Sequence, residues 1–129
     1  MKWTQYIALT IFTLAGLLAC ESKFPINGDL DGMWKVTSIE RKNGTVENPE
    51  RMFYSVQLKL INVRRPGSSY LGYFKFTGDS LMMDMRQGTD GQMIQFGMKG
   101  LKDTFAVETL NHSTMVLYNG ESRIRFVVF

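Results

Sequence analysis

From about residue 30 onward, apolar and polar side chains alternate along the chain with a period of two, not 3.6. A period of two predicts β-strands with one buried face. The alternation is cleanest from Phe53 to Val63, where the apolar face consists of Tyr54, Val56, Leu58 and Leu60. Turn-forming residues separate further segments of this kind, and the predicted strands span residues 33–41, 53–63, 70–77, 80–86, 104–110, 114–119 and 123–129.

Two segments are less regular than the others. Gly72 interrupts the third predicted strand, where we expect a bulge or a sharp bend. Residues 92–101 fit either a short strand or a helical turn. Because the chain lacks the long amphipathic helix of a βαβ unit, the seven or eight short strands predict an all-β fold, either an up-and-down barrel or a sandwich. Closure into a barrel would remove exposed strand edges.

The chain ends in an aromatic residue, Phe129, as strands of outer-membrane barrels often do. Such barrels are apolar outside and polar inside. Here Arg123 and Arg125 interrupt the final alternation, and Lys35 and Lys75 would face lipid if the apolar residues filled the interior. The pattern therefore favours a barrel with an apolar interior and a polar outer surface.

The first nineteen residues have the composition of an export signal. Lys2 precedes an apolar run, Ile7 to Ala19, that is shorter than the roughly 20 residues of a transmembrane helix. The run ends Leu17-Leu18-Ala19-Cys20, which resembles the lipobox of bacterial lipoproteins. The resemblance implies cleavage before Cys20 and stable attachment to a membrane through two acyl chains on that residue. An ordinary secretory signal with a chance cysteine, or a short membrane anchor, is the alternative.

Cleavage would divide the chain into a signal peptide (1–19), a lipidated cysteine with a flexible tether (20–29) and a folded domain (30–129). Cys20 is the one cysteine, so the domain has no disulfide. We expect the outer membrane as the destination, with the face undecided. The signal carries one charged residue, Lys2, so cleavage lowers the net charge from +3 to +2. That balance gives no support to a nucleic-acid partner.

Gly32-Met33-Trp34 resembles the Gly-x-Trp motif that opens the first strand of lipocalins. The closing segments, residues 105–126, are similar to the ends of small lipocalin-like lipoproteins. The resemblance covers the folded domain and implies an eight-stranded barrel with a central cavity. It also implies that Trp34 closes one barrel end, with Arg125, or Arg123, packed over its ring as a structural cation–π partner.

The sequence contains no motif of a metalloprotease, a serine hydrolase or a phosphate-binding loop, so we expect no enzyme, cofactor or metal. His112, the one histidine, falls in a predicted turn, where a solvated side chain is expected. Carboxylates such as Asp84 and Glu108 could meet in space, which the sequence leaves open. Met82-Met83-Asp84-Met85 would offer soft ligands to copper(I). Alternation, however, separates Met82 from the other two methionines, which favours core packing.

Three functions are consistent with these features. The first is a membrane-anchored protein that binds a small apolar or amphipathic molecule inside the barrel. Its candidate pocket residues are Val36, Leu58, Leu60, Phe74, Phe76, Met83 and Met85. A filled interior would exclude it, because an eight-stranded barrel has room for its own side chains or for one small ligand. The second is a solid-core envelope interaction or structural module, which outward aromatic residues such as Tyr73 and Tyr118 would favour. A carboxylate or tyrosine enzyme ranks third.

Overall fold

Nine strands and one short helix follow a 3-10 turn, Gly28–Leu30, in residues 27–129, the part of the chain that the computed structural model describes. The strands are β1 (Gly32–Arg41), β2 (Val46–Glu47), β3 (Phe53–Gln57), β4 (Leu60–Arg65), β5 (Ser68–Phe76), β6 (Ser80–Met85), β7 (Lys102–Leu110), β8 (Thr114–Tyr118) and β9 (Ser122–Val128). The helix, α1 (Asp90–Ile94), lies between β6 and β7. No helix in this part of the chain is long and apolar enough to cross a membrane. The predicted signal peptide and Cys20 lie outside the described residues.

The strands form an eight-stranded closed barrel. From β3 to β9 each strand pairs antiparallel with the next one along the chain, and β1 pairs with β3 on one side. On its other side β1 pairs with β9 over seven residue pairs, which closes the sheet. The two-residue strand β2 adds only to the end of β1. The predicted all-β, up-and-down barrel is therefore confirmed.

The two ends of this barrel carry different connections. The N-terminal end holds the 3-10 turn and the β3–β4, β5–β6 and β7–β8 turns. The opposite end, which we call the mouth, holds the β1–β3 connection, the β4–β5 hairpin, the β6–β7 connection with α1, and the β8–β9 turn. Apolar side chains from alternate strand positions meet between the two ends in one core. In β6 this confirms the predicted alternation, since Met83 and Met85 are buried and Met82 is exposed.

Residues 53–63 form two strands, not the single strand that we predicted. Leu58 and Lys59 make a tight turn, and Leu60 pairs back with Gln57. Leu58 lies in the left-handed region, with φ 57°. Because the chain reverses there, the alternation restarts, and both Leu58 and Leu60 are exposed.

Gly72 is also not at a bulge, since its strand keeps a continuous register with β4 and with β6. The register shifts lie instead between Val36 and Ser38 in β1 and between Val107 and Thr109 in β7. A Cβ atom on Gly72 would lie 2.7 Å from the carbonyl oxygen of Asp84. Glycine is needed here because the β5 and β6 main chains approach too closely for any side chain.

Candidate functional site

Trp34 lies near the N-terminal end of the barrel, where we expected it to close that end. Its side chain is buried, and its indole Nε1 donates a hydrogen bond to the carbonyl oxygen of Leu30, 2.9 Å away. Leu30, in the 3-10 turn, is itself fully buried. The indole nitrogen needs a partner when buried, and the turn supplies one from the main chain.

The predicted cation–π contact between Arg125 and the Trp34 ring is wrong. β9 points Ile124 and Phe126 inward, so Arg125 faces outward, and its Nε donates to Glu40 Oε1 at 3.1 Å. The alternative, Arg123, also faces outward. Its guanidinium lies 4.5 Å from the Tyr118 ring centre and binds Glu108. Period-two alternation separates both arginines from the inward Trp34 ring.

A plug, residues 89–99, fills the mouth of the barrel. Thr89 begins it with a capping box, in which Thr89 Oγ1 accepts from the Gln92 amide and the Gln92 side chain accepts from the Thr89 amide. Met93, Phe96 and Met98 are buried in the core. Residues 92–101, for which the sequence allowed a strand or a helical turn, thus form the end of α1 and a turn that packs into the interior.

Side chains from three barrel strands or their ends donate hydrogen bonds to three carbonyl oxygens of the plug. Arg41 donates to the Ile94 oxygen at 2.8 Å, and the Tyr54 hydroxyl donates to the Phe96 oxygen at 2.5 Å. Asn119 donates to the Gly97 oxygen at 2.9 Å. Burial, and secondarily the charge of Asp103, raises the pKa of Tyr54 far above its ordinary value. Its hydroxyl therefore stays protonated and keeps donating.

A buried carboxylate, Asp103, completes this network. Its Oδ2 accepts from the Lys99 amide at 2.9 Å and from Asn119 Nδ2 at 2.8 Å, and its Oδ1 accepts from the Thr104 amide at 2.8 Å. Sequence reasoning missed Tyr54, Asp103 and Asn119 as plug contacts. The available signal was a polar residue, Asp103, at an inward position of β7, two residues before the inward Phe105.

The candidate pocket residues divide into two groups. Val36, Met83 and Met85 are buried in the core, and Phe74 and Phe76 pack against it half-buried. Leu58 and Leu60 do not belong with them, because they are 53% and 38% exposed on the outside of the barrel. Met93, Phe96 and Met98 of the plug belong to the same core as the buried candidates.

Of the clefts at the surface of the described residues, two lie beside the plug or the candidate pocket residues. The mouth cleft, of about 550 Å³, is lined by Ile39, residues 47–52, Arg65, Pro66 and Gln95. Ile39 and Met52 are buried and give it an apolar floor. Arg65 Nη1 donates to Gln95 Oε1 at 2.8 Å, which joins the β4 end to the plug. The outer cleft, of about 710 Å³, crosses β5, β6 and the start of β7 beside Tyr73 and Met82. Two of the candidate pocket residues, Phe74 and Met83, also line it.

The titratable side chains singled out in the sequence lie apart from one another in the barrel. Within residues 27–129, no group of three or more His, Cys, Asp or Glu residues is placed to hold a metal ion. His112 is exposed in the β7–β8 turn. Asp84 pairs with Arg86, and Glu108 pairs with Arg123.

Comparison with known proteins agrees with the barrel topology. The family model described as a lipocalin-like domain matches residues 12–129. The chain belongs to this lipocalin-like family. No curated protein matches the sequence.

Two solved structures resemble this lipocalin-like chain. A lipocalin-like protein from Bacteroides uniformis is 24% identical, with a TM-score of 0.67 over 79% of this chain and 100% of that one. An uncharacterized protein from Bacteroides eggerthii is 21% identical, with a TM-score of 0.63 over 78% of this chain and 100% of that one. At these identities the likeness establishes the fold alone.

Proposed function

We propose that the chain is a lipid-anchored, non-catalytic binding protein of the outer membrane, whose ligand is a small amphipathic molecule docked at the barrel mouth. The lipobox-like segment ending at Cys20 supports the anchor. The lipocalin-like fold supports a binding role by analogy alone. The location of the ligand differs from our sequence-based hypothesis, because the plug and the core occupy the interior.

The mouth cleft carries this proposal. Its volume of about 550 Å³ lies within the range of small-molecule sites, roughly 300–1,000 Å³, which also occur at the mouths of β-barrels. Ile39 and Met52 offer an apolar floor. Within residues 27–129, Arg65 has no carboxylate at ion-pair distance and binds the neutral Gln95 side chain. Two carboxylates also line the cleft: Glu47, which is paired with Arg41, and Glu50. A ligand with an apolar body and one acidic group would match the apolar floor and Arg65, at the side of the cleft formed by the β4 end and Gln95.

Binding of anilinonaphthalene sulfonate, an anionic amphipathic probe, tests the mouth site. Arg65→Gln removes one of two cleft arginines that have no carboxylate at ion-pair distance in the described part of the chain, the other being Arg51. Loss of one charge-assisted hydrogen bond, about 1.5–3 kcal/mol, predicts roughly 10- to 100-fold weaker binding. Arg64→Gln is the matched control, because Arg64 is adjacent in sequence but lies over the Phe53 ring, 5.5 Å from its centre. Equal losses in the two variants, or binding that never saturates, would contradict the site.

The hydrogen bonds that hold the plug favour a second candidate, a solid-core interaction module of the envelope. Tyr73, 49% exposed on the outer face, supports it as well. Native mass spectrometry distinguishes the two functions. A co-purified small molecule would support the mouth site, whereas a clean apo mass with no probe binding would select the interaction module.

The anchor is tested separately, on protein extracted from membranes. Mass spectrometry of the N-terminal peptide should find a diacylglycerol thioether on Cys20, and fractionation should place the protein in the outer membrane. Cys20→Ala should remain uncleaved and unlipidated. An unmodified Cys20 in the mature protein would refute the anchor and leave the mouth site to its own test.

A further inference from the structure

Leu58 is unusual both in its conformation and in its exposure. Its φ of 57° is in the left-handed region, which is unfavourable for a bulky side chain and is tolerated best by glycine and asparagine. Its side chain is 53% exposed at the tip of the β3–β4 turn. The fold therefore holds an apolar side chain out in solvent at a position where a polar residue would suit the backbone better.

Leu58 continues into an apolar stripe on the outer surface, made of Leu58, Leu60, Tyr73 and Met82. Leu60 pairs directly with Tyr73 across β4 and β5. Met82 pairs with Lys75, two residues from Tyr73, which makes it a diagonal neighbour of the tyrosine. Leu60, Tyr73 and Met82 are 38%, 49% and 37% exposed. The outer cleft lies beside the last two.

Lysines border this stripe. Lys59 follows Leu58 in the turn, Lys75 lies opposite Met82, and Lys102 lies opposite Asp84. Within residues 27–129, none of these lysines has a carboxylate at ion-pair distance. Asp84, the nearest acidic residue in the strand register, is paired with Arg86. The face is thus apolar along its centre and has three lysines at its border. One carboxylate, Asp31, lies beside the Leu58 turn, where Asn27 Nδ2 donates both to Asp31 Oδ1 at 2.7 Å and to the Leu58 oxygen.

The start of the described chain lies beside the same turn. Asn27 Nδ2 donates to the carbonyl oxygen of Leu58 at 2.8 Å. Six residues separate Asn27 from Cys20, so even a fully extended segment between them spans no more than about 25 Å. Acyl chains on Cys20 would therefore keep the Leu58 turn within about that distance of the bilayer.

We propose that the apolar stripe rests on the anionic lipid leaflet that holds Cys20, so that the barrel lies on its β4–β6 side. Leu58 and Leu60 then enter the boundary between headgroups and acyl chains, and the bordering lysines meet lipid phosphates. This orientation rests on the anchor proposed above. The mouth cleft lies at the opposite end of the barrel from the Leu58 turn.

Tryptophan fluorescence tests the orientation in the full mature protein, reconstituted into vesicles of phosphatidylglycerol and phosphatidylcholine with brominated acyl chains. Leu60→Trp places a reporter on the stripe, and Val46→Trp places one at the mouth, where Val46 is 55% exposed. Trp34 is buried and supplies the background. We expect several-fold stronger quenching at position 60 than at position 46. Equal quenching, or no association with the vesicles, overturns the proposal.

Leu58→Asn, made in the Leu60→Trp protein, removes the apolar tip without harming the turn, since asparagine tolerates the left-handed region. It should fold at least as stably and lose most of the quenching at position 60. Lys75→Glu should reduce quenching on anionic vesicles, whereas the control Lys42→Glu, at the mouth, should not. Unchanged quenching in Leu58→Asn refutes the lipid contact. The acyl mass on Cys20, measured on the same sample, shows separately whether the anchor has failed.

Discussion

Replacing Asn119 with alanine removes four hydrogen bonds, of which one binds the plug directly and one holds Asp103, the carboxylate that accepts from the plug residue Lys99. Asn119 Nδ2 donates to the Gly97 oxygen and to Asp103 Oδ2, at 2.9 and 2.8 Å. Its Oδ1 accepts from the amides of Glu121 and Ser122, at 3.0 and 2.7 Å. Asn119 is only 7% exposed, so water cannot readily replace these bonds. We expect Asn119→Ala to destabilise the protein and to loosen the plug.

Asn111 provides a matched control at the other end of the barrel. In the β7–β8 turn its Oδ1 accepts from the amides of Ser113 and Thr114, both at 2.9 Å. These are the same relative positions, two and three residues later, as in the Asn119 turn. Asn111 is exposed and does not contact the plug in any hydrogen bond of the described residues. Asn111→Ala therefore removes the turn bonds alone.

The expected magnitudes follow from which groups lose their partners in the interior. In Asn111→Ala, water can solvate the freed turn amides. We therefore expect the free energy of unfolding to fall by about 1 kcal/mol, which is the net contribution of an ordinary hydrogen bond. In Asn119→Ala, the Gly97 carbonyl and the Asp103 carboxylate each lose a donor while buried. Leaving one buried polar group unsatisfied costs about 1–3 kcal/mol. With two such groups, we expect the free energy of unfolding to fall by about 3 kcal/mol.

Urea unfolding, followed by circular dichroism, measures both losses, with unchanged m-values as the check that compactness is preserved. The difference of about 2 kcal/mol corresponds to roughly 10 °C in Tm for a domain of this size. Hydrogen exchange gives a local measurement, since the Lys99 amide donates to Asp103 and should exchange faster in Asn119→Ala alone. Equal losses in the two variants, with unchanged Lys99 exchange, would refute the role of Asn119 in holding the plug.

Other regions of the barrel give two further predictions. Gly72→Ala should lose about 1–3 kcal/mol of stability in urea, because its Cβ would lie 2.7 Å from main-chain atoms of β6. Gly91→Ala, which meets no atom within 4 Å, should instead gain up to about 1 kcal/mol in helix α1, and a loss there would contradict the reasoning. The hydrogen bond from Arg123 lowers the pKa of Glu108, so its stabilising effect is present above the ordinary glutamate pKa and lost as pH falls through the folded value. NMR titration should find the Glu108 pKa raised in Arg123→Gln, and an unchanged value would count against the pair.

The barrel was predictable because apolar and polar residues alternate with a period of two along its strands. This alternation indicates strands without any knowledge of their tertiary contacts. The same period placed Met82 outside and Met83 inside, as the structure confirms. The same alternation also argued against the cation–π contact between Arg125 and Trp34 that the lipocalin resemblance implied. Ile124 and Phe126 are apolar and flank Arg125, so the arginine had to face outward. At this position the alternation along β9 was the better guide, and the family resemblance was misleading.

The plug was not predictable because its interactions are between distant parts of the chain. Residues 89–99 are rich in glycine and polar residues, as in an ordinary loop. Their conformation depends on hydrogen bonds that their carbonyl oxygens accept from Tyr54, Asn119 and Arg41. These donors are 42, 22 and 53 residues away in sequence. Main-chain carbonyls carry no sequence signature, so no pattern could announce these contacts.

The Leu58-Lys59 turn was missed for a different reason. Two-residue hairpin turns in which only the first central residue has positive φ favour glycine at that position. Here a leucine with φ 57° stands in that place, and the run from Tyr54 to Leu60 therefore resembles one uninterrupted strand. Stability alone would favour asparagine or glycine at position 58. A sequence that keeps an exposed leucine there is therefore best explained by contact with something apolar outside the barrel. The Leu58→Asn variant tests this directly, because stability and membrane contact should change in opposite directions.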